Sequence, residues 1–424
     1  MNSSWMAVVL VLGAGASAQE LDGGTTDAGI VEQSELDNAI DAAAGRGATT
    51  AGPQVTTNPL VRAFQSLNPD ISVIVDSVAG AAGTTSYSRG GADPDLKGGA
   101  IEHPAGVTVQ EVEFAFQAIV DPFFRADVFF TVPNLEGVEV EEAFATSTSL
   151  PFDLQVRAGI FRSNIGRLNG QHTHVQNFVR RPLLNEAFLG VDGLRSPAVQ
   201  VSWLAPTPVF LQLSAEAISV GPPGGLEHLS SFGGGERTDL TYTGKLSTFF
   251  PLAESVSISA GLNAAFGKTA GVSSETGLVR VGSRTLLQGF DLYVKYKPAN
   301  DVGSYFSLTW TTEFFFREVL SRNNSEETAI DGAGYTQLVA QIGRNWFVGL
   351  RQDLLGLPFS ELQTRVSRTA GSLTFIASEF AQLRLEVERE TQPSPTQFFL
   401  LGRPNWAGYL QLQIAIGAHG AHPF

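Results

Sequence analysis

The sequence predicts an all-β chain: a transmembrane antiparallel β-barrel of about sixteen strands, with short periplasmic turns on one rim and long extracellular loops on the other. Three observations carry that expectation. Apolar and polar residues alternate with period 2 in short segments from Ile71 to Gly417. The connections between those segments are short and long in turn. Elsewhere than the N-terminus, no apolar run approaches the roughly 18 residues a membrane helix needs.

The alternation is clearest where long side chains mark both faces. Glu111 to Asp121 sends Val112, Phe114, Phe116, Ala118 and Val120 to one side and Glu111, Glu113, Gln117 and Asp121 to the other. Phe290 to Lys297 and Gln382 to Glu388 repeat the pattern, with Leu383, Leu385 and Val387 opposite Gln382, Arg384, Glu386 and Glu388. Successive side chains of a strand point to opposite faces, so each segment is a two-faced strand. Strands of about ten residues with an apolar outer face cross the hydrocarbon layer with every backbone group paired to a neighbour.

In chain order, residues 1–18 read as a secretory signal, with an apolar stretch from Trp5 to Leu12 and Ala16-Ser17-Ala18 before Gln19, although Met1 to Met6 carries no Lys or Arg. Residues 19–68 lack alternation and read as a flexible periplasmic segment, with room for a short helix over 31–44. Residues 69–424 form the barrel. Its strands are expected at 70–78, 109–120, 124–132, 136–146, 152–163, 197–204, 208–218, 239–250, 255–267, 286–297, 303–317, 333–342, 345–353, 370–378, 381–389 and 405–417. Long loops fall at 79–107, 164–196, 219–238, 268–284, 318–332, 354–369 and 390–404. Val138 to Thr146 is imperfect: Glu139 and Glu141 suit the lumen, but Glu142 then faces lipid unless a bulge shifts the register. Aromatic clusters at Phe123-Phe124, Phe129-Phe130, Phe249-Phe250, Phe314 to Phe316 and Trp346-Phe347 are placed at headgroup level.

Composition narrows the function. A net charge of −15 makes nucleic acid an unsuitable partner, because phosphate binding needs a basic surface. The absence of cysteine removes disulfides, thiolate metal sites and cysteine nucleophiles together. No catalytic arrangement stands out, so the chain is expected to be no enzyme and to need no cofactor. The last strand alternates from Tyr409 to Gly417 and the chain finishes on Phe424.

Specific residues carry a family resemblance. They run from Arg125-Ala126-Asp127-Val128-Phe129 through Glu136 to Ala143, then Leu154 to Gly159, Gly166-Arg167-Leu168-Asn169, His172-Thr173-His174 and Arg181-Pro182-Leu183. In these the chain resembles the porin-like outer-membrane barrels of Gram-negative bacteria related to phosphate-selective and anion-type porins, including a group commonly labelled zinc-regulated TonB-dependent receptors. The resemblance implies a barrel in the outer membrane, in contact with lipid and lipopolysaccharide, assembled through a terminal aromatic such as Phe424, and forming a homotrimer. The expected activity is passive diffusion of small hydrophilic solutes, anions among them. The alternatives are a receptor for zinc-linked metal uptake and a non-conducting structural barrel. The ~350 residues after Asn68 are too few for a 22-stranded receptor barrel, and the ~50 before it too few for a plug.

The candidate site is the long polar loop from Asn164 to Ser196. It follows the fifth strand and is long enough to fold inward and narrow a pore. Its arginines Arg167, Arg180, Arg181 and Arg195, with Arg157 on the preceding strand, would favour anions at a constriction. Paired instead with the carboxylates of Glu139, Glu141 and Asp153, they would pin the loop. His172 and His174 are the closest imidazole pair in the chain, and an extended H-x-H turns both rings to one side. They could begin a zinc site with Glu186 or Asp192 as a third ligand, or could be a hydrogen-bonded pair that holds the loop.

Overall fold

In the computed structural model the described residues are 70–83, 86–88, 100–102, 106–190, 192–220, 231–233, 238–268, 284–298, 305–320, 329–360, 365–391 and 404–417. The expected signal (1–18), the N-terminal segment (19–68) and Phe424 lie outside them. Sixteen strands among the described residues close into one antiparallel barrel, each pairing with its neighbours in sequence. They are β1 Asp70–Ala82, β2 Gly106–Ile119, β3 Phe124–Pro133, β4 Glu139–Ser147, β5 Leu154–Arg162, β6 Arg195–Leu204, β7 Phe210–Ser219 and β8 Leu240–Ala253. The second half comprises β9 Val256–Lys268, β10 Arg284–Tyr296, β11 Ser307–Leu320, β12 Ala329–Gln341, β13 Trp346–Ser360, β14 Val366–Ser378, β15 Ala381–Thr391 and β16 Pro404–Gly417. Closure comes from β1 against β16, with Ser72 opposite Gly417 and Ala82 opposite Ala407. Every expected strand is present, several longer by two to seven residues toward the long-loop rim.

The face assignment follows the alternation. On β15, Leu383, Leu385 and Val387 are exposed on the outer wall, and Arg384, Glu386, Glu388 and Glu390 are buried within. On β16, Leu410, Leu412, Ile414 and Ile416 face out opposite buried Gln411 and Gln413. Inward polar side chains are buried because the lumen at their height is filled by other parts of the chain.

Two local departures matter for the site. The β3–β4 ladder slips by one residue, Phe129 facing Glu142 and Phe130 facing Val140, so Glu141 is the extra residue of a bulge. The bulge turns Glu141 and Glu142 inward together, and both are buried. Secondly, several of the aromatics placed at headgroup level belong to the lumen, Phe129 and Phe315 among them. Phe129 is buried against His172, with ring centroids 4.7 Å apart, and Phe315 is fully buried between outward-facing Phe314 and Phe316. Outside a bulge, consecutive residues on a strand point to opposite faces, so a run of aromatics there divides between lipid and lumen.

Candidate functional site

Residues 163–194 leave β5 at the long-loop rim and fold down inside the barrel instead of standing outside it. Their path is set by wall side chains that accept the loop's backbone N–H groups. Glu216 on β7 accepts from Asn164 N at 3.1 Å, and Asn263 on β9 from Gly166 N at 2.8 Å. Glu313 on β11 accepts from both Arg167 N (3.0 Å) and Leu168 N (2.8 Å), and Glu386 on β15 from Val179 N (2.5 Å). Asp353 on β13 accepts from Leu183 N at 3.3 Å. In return Arg351 and Arg368 donate to the carbonyls of Arg180 (2.8 Å) and Arg181 (3.0 Å). A loop has no ladder of its own, and buried backbone groups need partners, so the inner wall supplies them.

Apolar packing completes the seat. Phe161, Ile165, Leu183, Leu184, Phe188, Leu189 and Leu194 join wall residues Ile218, Ala265, Leu287, Phe315, Tyr335 and Leu355 in one buried cluster. Val179 packs separately on Val78, Ala407 and Tyr409, and Phe178 on Val339 and Ala370. The loop therefore touches strands all round the barrel. Gly166 sits with φ +66°, and a Cβ there would lie 2.5 Å from Glu313 Oε2, so the close approach of the loop tip to the wall requires glycine.

The arginines of the expected constriction divide into two groups. Arg180 pairs with Glu186 (3.1 Å) and Glu388 (2.9 Å), and Arg195 with Asp192 (3.3 Å). Arg181 donates to Gln171 O at 3.1 Å. Burial first and then the neighbouring Arg162 cation bring its guanidinium down to about 10. Arg157 lies over the Phe161 ring at 4.0 Å, with Glu216 also at 4.0 Å. Arg167 differs. It is half-buried, its guanidinium lies 3.8 Å over the Tyr293 ring, and no carboxylate pairs with it among the described residues. Lys295, two residues along the same face of β10, lies within electrostatic reach of Arg167 and Lys297.

The carboxylates expected to answer these arginines are not gathered in one place. Glu141 is buried against Arg162 and His172, whereas Glu139 is half exposed and lies 3.9 Å from Arg195. Asp153 is exposed in the turn Pro151–Asp153 on the opposite, short-turn rim, remote from the loop. Glu313, Arg351 and Glu386 act as loop anchors that sequence reasoning did not single out. Only their partners in the loop, far away in the chain, reveal that role.

The histidines also depart from the expected arrangement. Residues 173–175 form a single 3₁₀ turn instead of an extended segment, yet the His172 and His174 rings still lie 5.6 Å apart. Neither Glu186 nor Asp192 joins them: Glu186 is engaged by Arg180 and Arg368, and Asp192 by Arg162 and Arg195. The carboxylates beside the rings come from the wall. His172 Nδ1 is 2.9 Å from Glu113 Oε2 and 3.5 Å from Glu141 Oε2, and its Nε2 is 2.7 Å from Glu142 Oε2. His174 Nδ1 is 3.4 Å from Glu113 Oε2 and 3.6 Å from Glu111 Oε1. Burial disfavours imidazolium here, but the carboxylates prevail: Glu113 and Glu141 hold His172 well above its ordinary value. The nearby carboxylates of Glu111 and Glu113 push His174 up to about 9.

A sixteen-stranded antiparallel barrel with short turns on one rim, an apolar outer wall and an inward fifth-strand loop defines a porin-like barrel. Solved structures agree on the fold. OmpT of Vibrio cholerae in its trimer form superposes with a TM-score of 0.53 at 9% identity, over 82% of this chain and 99% of that one. The anion-selective porin from Comamonas acidovorans gives 0.52 at 11%, over 82% and 99%. OprB of Pseudomonas putida gives 0.52 at 11%, over 84% and 96%. No family model matches the chain. An uncharacterized protein of Aquifex aeolicus (strain VF5) is 31% identical over 398 residues, 84% of this chain and 80% of that protein, and the chain belongs to the same family.

Proposed function

We propose that the chain is an outer-membrane channel for passive diffusion of small hydrophilic solutes, narrowed by residues 163–194 and biased toward anions. The observation that carries this reading is Arg167. It sits at the inward tip of the loop, stacked on Tyr293 beside Lys295, without a carboxylate partner among the described residues. A fixed cation at a narrow point of low dielectric attracts anions and repels cations. Toward the short turns, Ser247, Ser257, Ser259 and Thr309 lie on the strand faces that alternate inward, adding neutral polar side chains to that part of the wall. The sixteen strands are six short of the 22 that a TonB-dependent receptor barrel uses.

The test is single-channel recording in planar bilayers under a salt gradient. Wild-type protein should conduct with a reversal potential on the anion side, and Arg167→Glu should move that potential toward cations. Conductance with no shift on Arg167→Glu would remove Arg167 from the neck.

A second reading, a barrel closed by its own loop, has one observation in its favour. The loop is seated against strands on every side, and much of its contact is apolar. Folded protein that never conducts would decide for it.

A further inference from the structure

The histidine–carboxylate cluster is placed between the loop and the β2–β4 wall, and it has the geometry of a coordination sphere. Glu113, His172 and His174 are all buried, and each offers one ligand atom, all within 4.8 Å of one another. In a tetrahedral zinc site with bonds of about 2.0–2.1 Å, neighbouring ligand atoms stand about 3.3 Å apart. The separations here are 2.9 Å from His172 Nδ1 to Glu113 Oε2 and 3.4 Å from His174 Nδ1 to Glu113 Oε2. A fourth ligand can come from either side, with Glu141 Oε2 3.5 Å from His172 Nδ1 and Glu111 Oε1 3.6 Å from His174 Nδ1.

Two further observations point to a cation. The buried oxygens Glu111 Oε1, Glu113 Oε1 and Glu141 Oε2 accept no hydrogen bond among the described residues, although buried carboxylate oxygens are ordinarily satisfied. In addition, His172 turns Nδ1 toward the cluster and Nε2 toward Glu142 Oε2 at 2.7 Å. A metal-bound imidazole characteristically donates its other N–H to a carboxylate, which fixes the tautomer and orients the ring. Glu142 is itself held by the backbone N–H of Arg162 at 2.5 Å.

We propose that Glu113, His172 and His174 bind a divalent transition-metal ion of the zinc class, with Glu141 or Glu111 as fourth ligand and Glu142 orienting His172, and that the ion clips the loop to the barrel wall. Imidazole nitrogen with carboxylate oxygen suits zinc better than calcium or magnesium, which take all-oxygen shells. The site is independent of the channel reading and would stand in a barrel that never conducts.

The experiment uses the refolded full chain without a polyhistidine tag, stripped with chelator and re-equilibrated with zinc. Bound metal is measured by atomic absorption, and coordination by the visible spectrum of the cobalt(II) form and by X-ray absorption on the zinc form. About one ion per chain is expected, with tetrahedral cobalt bands, two imidazoles in the zinc shell, and slower tryptic cleavage at Arg167 and Arg180. His172→Gln/His174→Gln should lower zinc affinity at least about a hundredfold. Should that variant fail to fold, the wild-type spectra still decide. Folded wild-type barrel that takes up no zinc, octahedral cobalt, a zinc shell without imidazole, or undiminished uptake by the folded double variant would overturn the proposal.

Discussion

Glu313→Ala probes the seat of the loop more sharply than any other single change. One carboxyl oxygen, Glu313 Oε1, accepts from Arg167 N at 3.0 Å, Leu168 N at 2.8 Å and Tyr335 Oη at 2.7 Å, and the side chain is fully buried. Truncation orphans two loop N–H groups in a site without bulk water, each at about 1–3 kcal/mol. The seated state should therefore weaken by about 2–6 kcal/mol relative to a released tip. At 1.4 kcal/mol per tenfold, the released population rises by about thirtyfold to about twenty-thousandfold. Tryptic cleavage after Arg167 tracks that population when reclosure outruns cutting, so limited proteolysis of the folded barrel reads it directly. Glu313→Gln is the matched control. Glu313 Oε2 accepts no hydrogen bond among the described residues, so an amide group whose oxygen occupies the Oε1 position keeps all three acceptances. Its cleavage rate should rise by less than about tenfold, since neutral bonds replace charge-assisted ones. Equal cleavage in Glu313→Ala and wild type, or equal effects of Ala and Gln, would show that Glu313 does not hold the tip.

Three further substitutions test other parts of the structure. Leu385→Arg puts a charge on the outer wall of β15, where Leu385 faces Leu373 and Leu410; it should cost about 2–4 kcal/mol in equilibrium unfolding from vesicles, and an unchanged midpoint would refute the face assignment. Gly166→Ala introduces a Cβ 2.5 Å from Glu313 Oε2 at a left-handed residue, so about 1–2 kcal/mol of strain should appear as roughly tenfold faster cleavage at Arg167. Arg162→Ala removes the cation bridging Glu141 and Asp192, leaving buried carboxylate behind; folded-barrel stability should fall by about 3–5 kcal/mol, and a drop under 1 kcal/mol would mean that the bridge does not anchor the loop.

Period-2 patterning determined the barrel without help from tertiary structure. A strand has two faces, lipid accepts only one kind, and the requirement is written locally along every segment, so strand number and face could be read residue by residue. The bulge at Glu141 was legible for the same reason: Glu142 broke the alternation, and a one-residue slip is the backbone's remedy. The path of the loop was not legible, because its anchors lie far apart in sequence. Glu313 meets Arg167, and Glu386 meets Val179, only once sixteen strands have closed a ring around residues 163–194. The same limit governed the histidines. His-x-His could be seen in the chain, but its carboxylate partner was sought within the loop, at Glu186 or Asp192, where local reasoning could look. The fold instead spends those two acids on arginines and brings up Glu113 from β2, since closure sets which wall faces the loop. Sequence thus determined what each strand must show to lipid and to the lumen, and tertiary structure alone decided which lumen groups meet, because contact across a barrel depends on the geometry of closure and not on neighbourhood in the chain.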